Sequence, residues 1–224
     1  MSPSHQVVLL AIDTSTDHLG LAVLRGDKVV SRFHRKVGRY HSRLLVPMID
    51  KVLKKARLEV RDVDAFCISI GPGSFTGLRI GVAVVKGLAY ALKKKIVTVP
   101  TLDAIAYNAK AGKSVVCPVL DARKNKVYAA LYRADGKKLK RISKHLLIPA
   151  EDLMKRSARY KEVSFLGDAL ALIGMKDIKA PDWHPRPDVI AKLGRECYLR
   201  KEFVSAEDLE PLYLYSSECD ITGK

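Results

Sequence analysis

Two polar stretches of the sequence have the residue types and the setting that hold phosphate groups. The first is AIDTST at 11–16, where an acid and three hydroxyl residues end an apolar run. Carboxylate and hydroxyl oxygens at such a strand end can meet a Mg-bound phosphate. The second is GPGSFTGLRIG at 71–81, a glycine turn between an apolar strand-like run and an apolar helix-like run. Free N–H groups at the start of a helix can hold an anion.

Both stretches depart from the well-known phosphate-binding motifs. Leu78 stands where the Walker motif requires a lysine, and Thr76 stands where a dinucleotide-binding turn requires its third glycine. Ser74 or Thr76 is equally suited to cap the helix that follows. The side chains of Asp13, Thr14 and Ser15 are also typical of a local turn. The sequence therefore predicts no strong phosphate site.

Other catalytic chemistry has no visible set of residues. His41 begins a helical run, but a metal ligand sharing its face would stand at position 44 or 45, and both are leucines. The remaining histidines show no ligand spacing. There is no GxSxG motif and no cysteine with a neighbouring histidine. We therefore expect neither a catalytic residue nor a metal site in this chain.

The apolar periodicity predicts an α/β protein. Strands are expected at 7–12, 19–24 and 28–33, with a hairpin turn at Gly26-Asp27. A helix follows at 41–56, with Ser42 as its N-cap and a start or bend near Pro47. Further strands are expected at 64–70, 96–99, 115–120, 126–132, 138–148 and 163–167, and further helices at 75–92, 101–109 and 188–203.

The helix expected at 75–92 is apolar on most of its circumference. Only Arg79 and Lys86 are charged, and Ile80 and Val84 lie on a different face from the leucines and valines that suit the sheet. A helix of this kind must be covered on most sides, by its own domain or by another protein. Its three glycines each cost about 1 kcal/mol relative to alanine. A close approach by a partner helix would explain that cost.

Bulk composition favours a soluble protein with an anionic partner. The chain has 224 residues and a net charge of +16 at pH 7, so nucleic acid is the first candidate, against a generally basic surface. No uninterrupted apolar run is long enough to span a membrane. The cysteines form no CxxC pair. Reduced, mostly buried thiols in a cytoplasmic protein are expected.

The sequence resembles the bacterial TsaB (YeaZ) family over almost its whole length. The resembling segments are AIDTST at 11–16, HSRLLVPMID at 41–50, SIGPGSFTGLRIGVAVVKGLA at 69–89, VPTLDAIA at 99–106, DARKNKVYAALY at 121–132 and PLYL at 211–214. The resemblance implies a two-lobed fold of the actin, sugar-kinase and Hsp70 type, which is ribonuclease H-like, with mixed sheets flanked by helices. It divides the chain into an N-terminal lobe at 1–100 and a smaller C-terminal lobe at 101–224, with the last segment returning to the first lobe.

The resemblance also implies a surface for pairing with TsaD, the catalytic homologue. That surface would be formed by His41, Leu44, Leu45, Met48, Thr76, Arg79, Ile80, Val84 and Gly87. The resemblance implies that TsaD has an HxxxH metal-binding pair on the helix matching 41–56. In this chain Leu45 replaces the second ligand of that pair. The resemblance also implies that a vestigial phosphate-binding loop is formed by Asp13, Thr14 and Ser15. Arg43 departs from the family, which commonly has an acid at that position.

The function implied is that of a non-catalytic scaffold in making N6-threonylcarbamoyladenosine at position 37 of tRNAs that decode ANN codons. The scaffold would pair with TsaD or with itself and support the ATPase TsaE. It would have no cofactor of its own, with ATP and metal on the partner subunits and tRNA held through the complex. One alternative is an ATP-dependent phosphotransferase or ATPase using Asp13, Thr14 and a carboxylate such as Asp121. The other is a glycoprotease-like metallopeptidase.

Overall fold

The chain consists of two compact units that are not contiguous in sequence. The computed structural model describes residues 6–109, 115–135, 138–175 and 183–214. The first unit comprises Met1–Ala104 and His184–Pro211, and the second comprises Ile105–Trp183 and Leu212–Lys224. The last long helix and the residues after it as far as Pro211 therefore belong to the first unit.

The first unit is built on a five-stranded sheet in the order β3-β2-β1-β4-β5. β1, β2 and β3 are antiparallel, whereas β1, β4 and β5 run parallel. This is a ribonuclease H-like arrangement, and the expected mixed α/β class is confirmed. The strands are β1 (Val8–Asp13), β2 (His18–Arg25), β3 (Lys28–Lys36), β4 (Ala65–Ser69) and β5 (Lys95–Val99).

Helices cover both faces of this sheet. The described α-helices of the chain are α1 (His41–Lys55), α2 (Phe75–Leu92), α3 (Thr101–Ala106), α4 (Ala150–Ser157) and α5 (Pro187–Leu199). Alternate residues of a strand point to opposite faces. Leu10 and Ile12 of β1 accordingly join the apolar cluster beneath α1 and α2. Leu9 and Ala11 join the cluster beneath α5.

Helix α1 begins at His41 as predicted, but its N-cap is a different residue. Its N-cap is Tyr40, so the expected cap at Ser42 is wrong. Pro47 lies inside the helix instead of at its start. A proline there removes the hydrogen bond to the carbonyl of Arg43. Both residues are exposed, so water can hydrate that carbonyl and the helix continues to Lys55.

The second unit has a six-stranded sheet around β6. Strand β11 pairs with β6 in parallel, and the other strands form antiparallel ladders in the order β10-β7-β6-β8-β9. The strands are β6 (Val115–Asp121), β7 (Lys126–Ala129), β8 (Tyr132–Asp135), β9 (Lys138–Arg141), β10 (Leu146–Pro149) and β11 (Val163–Leu166). Two predicted strands, 126–132 and 138–148, are each divided in two. Helix α4, which was not predicted, packs against this sheet.

The cysteines follow the expectation where the structure describes them. Cys67, Cys117 and Cys197 are free thiols, and the first two are buried. Burial raises the pKa of Cys117 to about 12 and also raises the pKa of Cys67. Both thiols are therefore protonated and unreactive near neutral pH. Cys219 lies outside the described residues.

Candidate functional site

The first candidate site is the polar turn at the end of β1. Asp13, Thr14 and Ser15 are all buried. Asp13 Oδ1 accepts hydrogen bonds from the backbone N–H and the hydroxyl of Ser15, at 3.2 and 2.7 Å. Burial raises the pKa of Asp13, although the two hydrogen bonds from Ser15 act in the opposite direction. This carboxyl group is held within the protein and does not face solvent.

The glycine turn uses its own N–H donors internally. Ser74 N donates to the carbonyl oxygen of Ser15 at 2.7 Å. The Ser74 hydroxyl accepts from Gly77 N at 3.2 Å, and the Ser74 carbonyl accepts from Leu78 N at 2.8 Å. The expected helix cap at Ser74 is thus confirmed. Each of these donors would have to break a hydrogen bond before it could bind a phosphate.

Two polar atoms of the turn at the end of β1 have no hydrogen-bond partner among the described residues. They are Asp13 Oδ2 and Thr14 Oγ1, and both are buried. Buried polar atoms without partners cost free energy and are uncommon. The start of α2 packs directly against this turn, since a Cβ at Gly81 would overlap the Thr14 hydroxyl.

The glycines of α2 face two different directions. A Cβ added to Gly77 would overlap the carbonyl oxygen of Thr14, and one added to Gly81 would overlap the Thr14 hydroxyl. These two glycines therefore let α2 approach β1 of its own chain, which corrects the expectation that they admit a partner helix. A Cβ at Gly87 would meet no atom within 4 Å. Only Gly87 of the three is open toward solvent.

The second candidate site is the outer side of α1 and α2. Six of the eighteen residues of α2 are buried, although the helix is apolar along most of its length. Leu44 and Met48 of α1, and Ile80 and Val84 of α2, are half-buried along the core cluster that the two helices share. Around them lie uncharged, exposed residues of α2. We call these residues together the α1–α2 surface: Leu44, Met48, Thr76, Ile80, Ala83, Val84, Gly87 and Ala91.

Two residues expected on the partner surface lie beneath it. Leu45 is fully buried, and His41 is buried with its Nε2 donating to the carbonyl oxygen of His18 at 3.1 Å. His41 therefore anchors the start of α1 to the start of β2. Both residues support the α1–α2 surface from within, and neither reaches solvent to touch a partner.

The adjoining side of α2 exposes aromatic residues that the sequence reasoning missed. Arg79 is exposed, and its guanidinium lies 3.8 Å from the ring centroid of Phe75. Phe75 and Tyr90 are 45% and 74% exposed. Exposed aromatic and arginine side chains are enriched at protein interfaces. A helical wheel of α2 would have separated Tyr90 from the buried Val82, Val85 and Ala89, whereas Phe75 is on the same side as Val82 and is the first residue of the helix.

Helix α2 is also long and apolar enough, by length and composition, to cross a membrane. Such helices occur in the cores of soluble proteins as well. Its inner residues, Leu78, Val82, Val85 and Ala89, are buried within the chain. This packing accounts for one side of the helix only, and the exposed side still needs an explanation.

Asp121, the carboxylate considered for a phosphotransferase, belongs to the second unit. Its Oδ1 accepts from Arg123 N at 2.7 Å, and its Oδ2 lies 3.2 Å from the Arg123 guanidinium. Asp168 in turn accepts the backbone N–H of Asp121 at 2.8 Å. These contacts stabilise the turn after β6, and they are sufficient to explain the acid at this position.

Comparison with known proteins identifies the family. Residues 31–194 match the family model of TsaD, described as tRNA N6-adenosine threonylcarbamoyltransferase. The tRNA threonylcarbamoyladenosine biosynthesis protein TsaB of Bacillus subtilis is 31% identical, over 96% of both chains. The chain belongs to the TsaB (YeaZ) family.

Solved structures agree with this family membership. YeaZ from Pseudomonas aeruginosa superposes with a TM-score of 0.81 at 27% identity, and the match covers 93% of this chain and all of that one. The fold is therefore that of YeaZ. TsaD itself is a more distant relative: the enzyme of Prosthecochloris aestuarii is 31% identical over 45% of this chain.

Proposed function

We propose that this chain is a non-catalytic subunit in tRNA threonylcarbamoyladenosine biosynthesis and that it pairs with a TsaD transferase. The names of its TsaB relatives support the pathway. The observation that carries the pairing is the α1–α2 surface, an uncharged strip on an apolar helix with only one side packed in its own chain. Covering such a strip with a partner removes apolar surface from water, which drives protein association.

The shared ancestry with TsaD makes that partner a reasonable one. The part of this chain that matches the TsaD model includes both α1 and α2. Two homologues that retain the same pair of helices can place them against each other in a pseudo-symmetric, largely apolar interface. A second copy of this chain offers the same pair of helices, so the test must separate the two partners.

The turn at the end of β1 supports a role without nucleotide chemistry. The N–H groups of Ser15, and of Ser74 and Leu78 in the glycine turn, are engaged within the chain. Asp13 and Thr14 are buried. Leu45 occupies the position at which a second histidine would be needed to complete a metal pair with His41 on α1. We therefore assign ATP and metal to the partner subunits, with TsaE as the ATPase of the system.

The basic charge supports a part in holding tRNA once the complex has formed. A net charge of +16 attracts phosphates over distances up to the Debye length, with no need for base-specific contacts. We expect tRNA affinity to fall steeply with salt and to be largely insensitive to tRNA sequence. On this account the complex works in the cytoplasm, where tRNA is modified.

The experiment mixes the purified chain with the TsaD of the same organism and measures complex formation by calorimetry. Ile80→Asp and Val84→Asp should abolish the complex, because each places a charge in the apolar strip. Leu199→Asp is the matched control, since Leu199 is 59% exposed on α5, across the sheet from α1 and α2. This control should bind as the wild type does.

Other outcomes of the same experiment would decide against the proposal. Failure of the wild-type chain to bind TsaD, or unchanged binding by both Asp variants, would overturn it. Sedimentation of the chain alone tests whether a second copy occupies the strip. ATP turnover by the isolated chain, lost in Asp13→Asn, would instead favour the phosphotransferase.

A further inference from the structure

A cluster of two histidines and one acid lies at the start of β2 in the first unit. Asp17, His18 and His184 each offer one ligand atom, and these atoms lie within 4.8 Å of one another. His18 Nδ1 is 2.8 Å and His184 Nε2 is 3.3 Å from the same oxygen, Asp17 Oδ1. The two imidazole rings lie against each other, with centroids 3.5 Å apart.

The fold brings these residues together from distant parts of the sequence. His18 is the first residue of β2, and Asp17 directly precedes it. His184 lies in the loop just before α5, which packs on the sheet face formed by β1 and β2. Gly20 of β2 lies directly beneath the start of α5, where an added Cβ would be 3.4 Å from Pro187.

The cluster is held from several sides. The carbonyl oxygen of Asp17 accepts hydrogen bonds from Val37 N and Gly38 N, both at 2.9 Å. The Thr16 hydroxyl accepts from His18 N at 3.2 Å. Lys36, directly opposite His18 on β3, places its Nζ 3.0 Å from the other carboxylate oxygen, Asp17 Oδ2. The carboxylate is thus oriented with Oδ1 toward the two imidazoles.

We propose that Asp17, His18 and His184 form a binding site for a divalent transition-metal ion such as Zn²⁺. Two imidazole nitrogens and one carboxylate oxygen are a donor set that suits Zn²⁺ and its neighbours better than Ca²⁺ or Mg²⁺. Tetrahedral bonds of about 2.0–2.1 Å separate neighbouring ligand atoms by about 3.3 Å. The distance from His184 Nε2 to Asp17 Oδ1, 3.3 Å, equals this separation, and the 2.8 Å from His18 Nδ1 would have to lengthen slightly.

The burial of the three side chains also fits a metal site. His18 and His184 are 17% and 18% exposed, whereas Asp17 is 41% exposed. The imidazoles are thus largely shielded, and the acid leaves an open side for the ion to enter and for a water to complete the coordination. Binding would replace the hydrogen bonds to Asp17 Oδ1 with metal bonds and release any proton on the ligand nitrogens.

The consequence of this site is structural. The metal would join the start of β2 to the loop before α5, and so fix the segment that returns to the first unit. The site is separate from the helix pair of the proposed function. His41, the histidine of α1, is engaged with the His18 carbonyl through Nε2 and is not one of its ligands.

The test uses the full chain without a histidine tag, stripped with a chelator and titrated with Zn²⁺ in a calorimeter. Wild type should bind one equivalent and melt at a higher temperature with the metal. His184→Gln should weaken binding at least about 100-fold, since it removes a ligand. His145→Gln is the control, because that imidazole lies beside Arg141 in the second unit, and it should bind as wild type does.

A second variant keeps the test decisive if His184→Gln folds poorly. His18→Gln should lose Zn²⁺ to a similar degree, and circular dichroism checks that both variants are folded. Co²⁺ should give the visible absorption of a four-coordinate nitrogen and oxygen site in wild type only. Absence of stoichiometric Zn²⁺ binding by wild type, or wild-type affinity in both folded variants, would overturn the proposal. Pairing with TsaD should be unaffected by His184→Gln, so the two proposals fail independently.

Discussion

Helices α2 and α5 lie on opposite faces of the same sheet, and the residues on their outer sides differ. The outer side of α5 has charged residues, including Lys192, Arg195 and Glu196, as is usual for a helix facing water. The outer side of α2 has Thr76, Ala83, Gly87 and Ala91 instead. Both helices bury an apolar face in the chain, but only α5 has charged residues along its outer side. This difference is the physical basis for the proposed pairing.

The inner side of α2 is predicted to be the most sensitive to added volume. Gly77→Ala should lower the free energy of unfolding by about 3 kcal/mol, because the new Cβ would overlap the Thr14 carbonyl oxygen and the backbone must shift. Urea denaturation followed by circular dichroism measures the change. No loss of stability, or a gain of up to about 1 kcal/mol as expected from helix propensity alone, would show that α2 is not seated tightly on β1.

The outer side of α2 should be sensitive to charge only when the partner is present. Ile80→Asp should raise the dissociation constant for TsaD at least about 30-fold, as expected for a hot-spot residue. Leu199→Asp on α5 should change it by no more than about twofold, as for an ordinary surface position. Equal effects of the two variants would remove the distinction between the helices. Ala83→Asp repeats the test at an exposed position of α2, where the added charge should not impair folding.

Asp13, the buried acid beneath the glycine turn, should make the free energy of unfolding depend on pH. Because the pKa of Asp13 is raised in the folded state, the folded protein binds its proton more tightly than the unfolded chain does. This contribution to stability is present below the ordinary pKa of 3.8 and is lost as the pH rises through the folded pKa. The stability of Asp13→Asn relative to wild type should therefore increase with pH, measured by urea denaturation from pH 3 upward. A difference that stays constant with pH would mean that burial does not perturb this carboxyl group.

The smallest expected effect is at Gly87. Gly87→Ala should raise the free energy of unfolding by about 0.5–1 kcal/mol, because alanine favours the helix and its Cβ meets no atom within 4 Å. The same variant should weaken TsaD binding if a partner helix approaches closely there. Stabilisation together with unchanged binding would place Gly87 outside the interface.

Periodicity was enough to predict most of the first unit, because its elements are long and regular. The pattern at 41–56 and 75–92 located α1 and α2, and the hairpin turn at Gly26-Asp27 located β2 and β3. The second unit was predicted less well. Its strands are four residues long in most cases, and α4 has eight residues with no side-chain cap, so neither gives a strong periodic signal.

The candidate sites show a similar limit. The sequence indicated α1 and α2 as the partner surface, but it could not show that Gly77 and Gly81 face β1, because this depends on how α2 is rotated about its axis. Nor could it show that His41 and Leu45 are buried. The cluster of Asp17, His18 and His184 has no sequence signal, since more than 160 residues separate its histidines and only the return of α5 to the first unit joins them.

The central claim is that a partner covers the outer side of α2, and cysteine labelling tests it most directly. The chain would have Ala83→Cys in a background of Cys197→Ser and Cys219→Ser, with Lys192→Cys on α5 as the matched probe. The buried Cys67 and Cys117 remain, because they are not accessible to a maleimide. Both probes should react readily in the isolated chain. Addition of TsaD should slow labelling at position 83 at least about tenfold, as expected for an interface core that excludes water, and leave position 192 unchanged. Equal labelling at position 83 with and without bound TsaD would contradict the account.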